Sequence, residues 1–258
     1  YNIVADCDRQ VEIYVPEEKP KRDINHNCYW SSECTELKTI GADDIVADPK
    51  FVWPQWKDYR LANDSPCTKL ADEAGPCGAF GLVGDAPLDL GPGRLWHVSE
   101  AGRDGRDGSV EQPVRTLQFA VDRAKPGDTV VLHPGFYPDP VRITRGGTKD
   151  HPVVIRAAEA GQAVLDSNRS ASVMISIHGA PCVEIHGLEI RWYGQSGIEI
   201  EESPQVTVAG CRIWNAHWHG AWPTGYAVRV VRSPGFVGRG NTLFKQEHGF
   251  WFYNSPNV

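Results

Sequence analysis

Four stretches in the second half of the chain share one alternation of apolar and polar positions. They read IHGAPCVEIHGLEI, IEIEESPQVTVAGCRI, VRVVRSPGFVGRGNTL and FWFYNSPNV, and they align on Pro181, Pro204, Pro234 and Pro256. These prolines are 23, 30 and 22 residues apart. Because alternation with a period of two is typical of strands with one buried face, each stretch predicts short strands around its proline.

The repeat also predicts the architecture. Strands this short cannot bury their apolar faces alone, so each turn must stack on the next as a coil of parallel strands. A glycine follows each of the first three prolines by six residues, at Gly187, Gly210 and Gly240, and marks a second turn in every repeat. We therefore predict an all-β fold, a right-handed parallel β-helix.

The alignment predicts which outward side chains share a column across the turns. One column contains Ser176, Glu199, Arg229 and Trp251, and its neighbour contains His178, Glu201, Val231 and Tyr253. Members of a column should lie about 4.8 Å apart along the coil. In the first column Arg229 could pair with Glu199 and stack on Trp251. The alternative is a solvated face with ordinary cross-strand pairs.

The 30-residue repeat differs from the others by an insertion of about seven residues between Asn215 and Tyr226. Loops added at one corner of a regular scaffold commonly carry function. With the neighbouring turns, this corner collects Trp192, Tyr193, His217, Trp218, His219, Trp222, Lys245, Glu247 and His248. Aromatic rings mixed with polar groups suit sugars, whose CH faces stack on rings and whose hydroxyls need polar partners. We therefore predict a carbohydrate-binding site there.

Two other interpretations of this insertion remain open. Trp218 and Trp222 could fold back as a lid over apolar surface, which would leave His217 and His219 exposed to solvent. Alternatively, His217 and His219 could bind a metal with His248, although the motif lacks a nearby acidic or cysteine ligand.

Composition and charge narrow the function classes. The 26 glycines and 19 prolines are typical of many short strands between tight turns. The net charge is -7 and the basic residues are scattered, which argues against a nucleic acid partner. No apolar run approaches the roughly 18 residues of a membrane span, and the first ten residues lack the pattern of a signal peptide.

The seven cysteines are unevenly spaced. Cys28 with Cys34, and Cys67 with Cys77, are close enough in sequence to predict two local disulfides. Such disulfides would indicate an oxidising, extracytoplasmic compartment. None of the spacings has the paired form of a zinc site.

The segment from Arg94 to Ser167 resembles the N-terminal module of secreted right-handed β-helix proteins of the pectate-lyase-like superfamily. It contains the loop GRDGRDGS, then VRTLQFAVDRAK, whose apolar residues have helical spacing, and then PGDTVVLHPGFY and HPVVIRA. The resemblance implies a short helix that caps the open end of the coil. It covers Trp96 to Val258 and is specific for the fold, whereas one fold of this kind supports many activities.

The first third of the chain resembles the closing turns of the same superfamily. The similar segments are NHNCYW, IVADPKFV and DYRLANDSPCTKLADEAGPCGAFG. The resemblance implies that residues 1–82 close one β-helix-like unit, that 83–93 form a linker, and that 94–258 begin a second β-helix, incomplete at its end. The alternative to such a tandem segment is a chain truncated or fragmented around a longer whole. Assembly with further β-helix segments of the same protein would follow.

Two function hypotheses follow for this secreted or cell-surface protein. The first is a polysaccharide-processing enzyme. β-Elimination would use Lys245, His217, His219 or His248 as the base and Arg229 or Arg191 to stabilise the charge. Hydrolysis would use two carboxylates among Glu199, Glu201 and Glu247. The second is a non-catalytic matrix protein whose aromatic corner binds glycan and whose coil is a stiff spacer.

The loop GRDGRDGS, residues 102–109, allows two interpretations. Asp104 and Asp107 with flexible glycines suggest a Ca²⁺ loop, the one cofactor that the sequence raises. However, the loop lacks the acidic residues that would complete six or more oxygen ligands. The alternative is a structural loop whose aspartates cap turns.

Overall fold

The structure, a computed structural model, describes residues 3–14, 27–30, 44–53, 58–61, 65–69, 93–214, 216 and 225–257. Among these described residues, a single helix of more than one turn, α1 (Leu117–Val121), and a 3-10 helix at Pro66–Lys69 accompany the strands. In chain order the strands are β1 (Ile3–Tyr14), β2 (Cys28–Trp30), β3 (Ile45–Val46), β4 (Phe51–Trp53), β5 (Asp58–Leu61), β6 (Leu95–Val98), β7 (Thr129–Leu132), β8 (Gly135–Tyr137), β9 (Val141–Ile143), β10 (Val153–Ala157), β11 (Ala163–Asp166), β12 (Val173–His178), β13 (Val183–His186), β14 (Glu189–Arg191), β15 (Ser196–Glu201), β16 (Thr207–Ala209), β17 (Arg212–Trp214), β18 (Tyr226–Val231), β19 (Val237–Arg239) and β20 (Thr242–Tyr253).

The strands from β6 onward form a coil with three faces, and every pair within a face is parallel. Face A contains β8, β11, β14, β17 and the first part of β20. Face B contains β9, β12, β15, β18 and the second part of β20. Face C contains β6, β7, β10, β13, β16 and β19. The predicted parallel β-helix is confirmed.

Inward side chains of face B stack in two apolar columns, as the alternation predicts. The strand registers place Ile175, Ile198, Val228 and Phe250 in one column and Ile177, Ile200, Val230 and Phe252 in the other. All eight side chains are buried. The stacked columns remove each strand's apolar surface from water, which a single turn could not do.

Backbone conformation explains why the prolines and glycines repeat. The prolines lie at the corner between faces B and C. Two positions before each proline is a residue with positive φ: Gly179, Glu202, Arg232 and Asn254. Gly187, Gly210 and Gly240 lie between faces C and A with φ of 66°, 60° and 61°, where glycine avoids the cost of a side chain. The chain therefore bends at the same positions in every turn.

A ladder of serines reinforces the corner between faces B and C. The backbone N–H of Ala180 donates to Ser203 Oγ, that of Ser203 to Ser233 Oγ, and that of Ser233 to Ser255 Oγ, each over 3.0 Å. Each hydroxyl satisfies a buried backbone donor of the preceding turn. The SP dipeptides of the repeat therefore stabilise the stacking of successive turns.

Helix α1 caps the open end of the coil, as predicted from its apolar spacing. Leu117, Ala120 and Val121 are buried in the main core, and Ala124 follows them. Thr116 is the N-cap residue, and its hydroxyl accepts from the backbone N–H of Phe119. The helix covers the first turn, so that the coil does not expose its apolar interior at this end.

The aspartates of GRDGRDGS organise the chain around this helix. Asp104 Oδ1 accepts from the backbone N–H groups of Arg115 and Thr116, and Oδ2 accepts from Thr116 Oγ1 over 2.7 Å. Asp107 Oδ1 accepts from the backbone N–H of Ser109. Both carboxylates therefore hold local turns by hydrogen bonds, as the structural interpretation of the loop expects.

Asp104→Asn is expected to destabilise the protein in a pH-dependent manner. Burial disfavours the Asp104 carboxylate, but the hydrogen bonds from Thr116 and Arg115 outweigh it and lower its pKa. A lowered folded-state pKa gives stability that is present above the unfolded pKa of about 3.9 and is lost as pH falls below it. The variant should lose about 1 kcal/mol at pH 7 in this solvent-exposed loop. Urea unfolding at pH 7 and pH 3 should show that the difference in free energy of unfolding between the variant and the unsubstituted protein is smaller at pH 3. An equal difference at both pH values would contradict this role.

The first strands of the chain continue the coil beyond β20. β1 pairs with β20 in parallel from Ile3 opposite Thr242 to Tyr14 opposite Tyr253, β2 pairs with β1, and β3 pairs with β2. β4 and β5 form a separate antiparallel pair. The division into 1–82, 83–93 and 94–258 stays a prediction, because 70–92 lie outside the described residues.

The disulfide prediction finds no support in the structure. Cys67, Cys182 and Cys211 are buried free thiols, so the proposed partnership of Cys67 with Cys77 is not formed. Burial raises the pKa of Cys211 to about 12. Cys34 and Cys77 lie outside the described residues. Within the described residues, no helix has the length and apolar character needed to cross a bilayer.

Candidate functional site

The outer side of face B carries the column that the sequence alignment predicts. The registers place Ser176 beside Glu199, Glu199 beside Arg229, and Arg229 beside Trp251. Arg142 of β9 precedes Ser176 in the same column. Alternation sends these side chains outward because their neighbours in each strand point into the core.

Arg229 contacts the residue on each side of it in this column. Its Nη1 lies 2.8 Å from Glu199 Oε2, and its Cζ lies 5.1 Å from the centroid of the Trp251 ring. The side chains of Arg229 and Glu199 are 27% and 20% exposed, so the pair is only partly solvated. The predicted ion pair and cation–π contact are therefore both confirmed.

The neighbouring column adds a second cluster of charged side chains. His178 Nδ1 lies 3.5 Å from Glu201 Oε2, and Glu201 Oε1 accepts from Arg232 Nη2. Arg232 Nε donates to Glu202 Oε1 over 3.1 Å. The strip of outward side chains on face B therefore has carboxylates and guanidinium groups that are already joined to one another. We call it the face B strip: Arg142, Ser176, His178, Glu199, Glu201, Arg229, Trp251 and Tyr253.

Two parallel aromatic rings lie at the β20 end of the strip. Trp251 and Tyr253 project from the same side of β20, with ring centroids 6.0 Å apart and planes inclined by 7°. Tyr226 packs against Trp251 at a centroid distance of 5.6 Å. Both rings are half-buried, and their apolar surface suits contact with the CH groups of sugar rings.

The corner between faces A and B contains Trp192 and Lys245. Both have positive φ, 52° and 56° respectively, and both directly follow a face A strand segment. Trp192 is half-buried, its ring lying 4.4 Å from Arg169 Cζ and 6.2 Å from the ring of Trp214. Lys245 is exposed. A left-handed backbone on a residue with a side chain is strained, and such strain is concentrated at functional sites.

Two of the predicted site residues are buried. Tyr193 has 0% exposure and belongs to the main core, which corrects its prediction as a sugar-stacking residue. His248 is 4% exposed, its ring stacks on Tyr226 at 4.9 Å, and its Nε2 lies 3.4 Å from Glu247 Oε1. In this position His248 does not meet a ligand on the outer surface. Its predicted role as a base would need a change of conformation.

The inserted loop lies outside the described residues. His217, Trp218, His219 and Trp222 all fall in this segment. Their predicted roles in catalysis, sugar binding or metal binding stay predictions. Within the ranges that the structure describes, no group of three or more His, Cys, Asp or Glu side chains is placed to hold a metal ion.

A buried charge network on face A was not predicted. Glu189 accepts from Arg191 Nη1 over 3.0 Å, from Trp214 Nε1 over 3.2 Å and from Arg212 Nη2. Arg191 Nε also donates to Asp166 Oδ2 over 2.8 Å. Glu189 and Arg212 are 23 residues apart, the spacing of the first two repeat prolines, which could have identified the pair. Burial of the network indicates a role in positioning the strands.

A family model matches more than half of the chain. The model, described as the Pel9A-like right-handed beta helix region, matches residues 96–231. The matched segment begins in β6 and ends with β18, so it includes Glu199, Arg229 and most of the three-faced coil.

Two curated proteins are similar to shorter segments. Pectate lyase PEL9 of Emericella nidulans is 36% identical over 72 residues, which are 27% of this chain and 18% of the lyase. The uncharacterized protein YwoF of Bacillus subtilis is 31% identical over 106 residues, which are 39% of this chain and 23% of YwoF. The matches therefore span about a quarter or less of these relatives.

A solved structure shares the fold. The GH136 lacto-N-biosidase from Eubacterium ramulus superposes with a TM-score of 0.55 and 14% sequence identity, over 62% of this chain and 36% of that enzyme. At this identity the similarity concerns the fold alone.

Proposed function

Because this chain belongs to the Pel9A-like right-handed β-helix family, we propose that it is an extracellular carbohydrate-interacting protein that holds a glycan along the face B strip. The observation that carries the proposal is the continuous contact of Glu199, Arg229 and Trp251 across three successive turns. A polysaccharide is itself a repeating linear ligand. A repeating linear surface therefore matches it in form.

The chemistry of the strip is suited to sugars. Trp251 and Tyr253 offer parallel ring faces to the CH groups of sugar rings. Glu199 accepts hydrogen bonds and Arg229 donates them, so that hydroxyl groups can find both kinds of partner beside the rings. The names of the relatives, a pectate lyase and a lacto-N-biosidase, support a carbohydrate ligand in general.

Cleavage of the glycan is a separate hypothesis with two chemical forms. Lys245, exposed and strained at the corner, is the base that elimination from a uronate requires. Glu199 and Glu201, on the same side of β15, are the two carboxylates that hydrolysis requires. A non-catalytic matrix protein would use the strip for binding alone. New reducing ends with unsaturated products would indicate elimination, new reducing ends without unsaturation would indicate hydrolysis, and neither product would indicate a non-catalytic protein.

Trp251→Ala is expected to weaken glycan binding by about tenfold or more, because it removes a ring face and the stacking partner of Arg229. The measurement is retention of the full chain in gels that contain galactan, mannan, glucan, xylan, polygalacturonate or alginate. Phe136→Ala is a matched control, since Phe136 is an aromatic residue 42% exposed on β8 of face A.

The control should bind as the unsubstituted protein does, and thermal unfolding should show that both variants are folded. Equal retention of Trp251→Ala and the unsubstituted protein would show that the glycan does not bind at the strip. Retention by none of the six polysaccharides would count against the carbohydrate function itself.

A further inference from the structure

We infer that the glycan bound by the face B strip is neutral rather than a polyuronate. The inference rests on the proposed function and specifies its substrate class. It follows from the charge arrangement, from the ion pair of Arg229 with Glu199, and from the two parallel aromatic rings beside that pair. Each of these is a property of the described residues.

Charges within the strip itself are balanced. The cations are Arg142 and Arg229, and the carboxylates are Glu199 and Glu201. A polyanion is steered to a surface by net positive potential, which this strip does not offer.

The arginine at the centre of the strip is committed to a carboxylate. A uronate carboxylate that paired with Arg229 would displace Glu199 or approach it closely. Because the pair is only partly solvated, the two carboxylates would repel with little screening. Arg232 is held in the same way by Glu201 and Glu202. Each of these arginines would have to exchange one carboxylate for another, which gains little binding free energy.

A sugar hydroxyl meets no such conflict. It can donate to Glu199 and accept from Arg229 while the ion pair remains formed, because a hydroxyl has both a donor and acceptor sites. Next to the pair, Trp251 and Tyr253 present ring faces inclined by only 7°. Stacking on these faces needs no charge on the sugar. The strip therefore favours a ligand with many hydroxyls and no carboxylate.

This substrate class restricts the chemistry at the strip. β-Elimination requires a carboxyl group or its ester on the sugar to stabilise the carbanion next to it, so a glycan without uronate residues cannot be cleaved in this way. If the strip cleaves its ligand, hydrolysis is the remaining form. The activity in the name of the pectate lyase relative would then not extend to this chain.

The test begins with the polysaccharide that retains the protein in the gel panel. This polysaccharide is converted chemically between its neutral and its charged form, and retention is measured again. A retained galactan, mannan or glucan is oxidised at its primary hydroxyls to uronates. Retained xylan, which has no primary hydroxyl, is compared with a xylan that carries glucuronate side groups, and a retained uronan is reduced at its carboxyls to the neutral polymer. We expect a neutral glycan to be retained and oxidation to weaken retention at least about tenfold. Retention of a uronan that is lost on reduction would overturn the inference and leave the proposed function intact. Retention of nothing in the panel would instead contradict the proposed function.

A charge variant provides a second readout. Glu199→Gln frees Arg229 from its carboxylate and should raise affinity for the uronate form at least about fivefold, in a manner that salt suppresses. Glu184→Gln on face C is the matched control, because it removes a carboxylate that pairs with His186 over 2.9 Å, away from the strip. No gain of uronate affinity in Glu199→Gln would overturn the inference that this ion pair excludes acidic sugars.

Discussion

Glu189→Ala is expected to lower the free energy of unfolding by about 3 to 5 kcal/mol, the cost of removing one partner from a buried ion pair. Glu189 is 4% exposed, although it points outward from face A. Its carboxylate accepts from Arg191, Arg212 and Trp214. Removal of that carboxylate withdraws negative charge from two arginines that are largely out of water, and neither can lose its proton.

The effect should be measured by urea unfolding at pH 7, with Glu184→Ala as the control. Glu184 also pairs with a neighbour in its own strand, but its side chain is 28% exposed, so its loss should cost about 1 kcal/mol or less. The loss of unfolding free energy in Glu189→Gln should lie between those of Glu189→Ala and Glu184→Ala. An amide oxygen can still accept a hydrogen bond but carries no charge. Similar losses for Glu189→Ala and Glu184→Ala would show that the face A network contributes little.

The repeat determined how much of face B could be predicted. Proline positions fix the register of successive turns, and a period of two then assigns every strand residue to the core or the surface. Glu199, Arg229 and Trp251 follow directly from this rule, and the structure places them in contact. The capping helix was predictable for a similar reason, since its apolar residues have helical spacing.

Corner residues do not follow the alternation, and there the prediction was less accurate. Trp192 and Lys245 adopt positive φ, which changes the direction of the chain and so the side to which the next residue points. Tyr193, directly after Trp192, consequently enters the core. A strand pattern contains no information on such a bend, because any residue type can be forced into it by the neighbouring turns.

The alternation of apolar and polar residues also could not predict contacts between distant parts of the chain. β1 pairs with β20 although more than two hundred residues separate them in sequence. The resemblance implied closing turns in the first third of the chain, but alternation in residues 3–14 is compatible with any parallel neighbour and did not indicate which strand they would join. The face A network has a related explanation, since outward positions are expected to be solvated and its burial depends on what covers the face.

Ile198→Ala is expected to lower the free energy of unfolding by about 2 to 5 kcal/mol, because it leaves a cavity in a close-packed column. Ile198 has no exposed surface and lies in register between Ile175 and Val228. Ile198→Val is the graded control and should cost about 0.5 to 1.5 kcal/mol, since it removes a single methyl group. Equal losses in the two variants would show that this column is not packed as described.

The same variant separates stability from binding. Glu199 follows Ile198 on the opposite side of β15, and the strand keeps its parallel neighbours β12 and β18 when the isoleucine is shortened. Below its unfolding transition, Ile198→Ala should therefore retain glycan binding within about twofold, whereas Trp251→Ala should lose it while remaining folded. Loss of binding in a folded Ile198→Ala protein would mean that the core column sets the geometry of the Glu199–Arg229 pair, and that recognition depends on the packing beneath the strip.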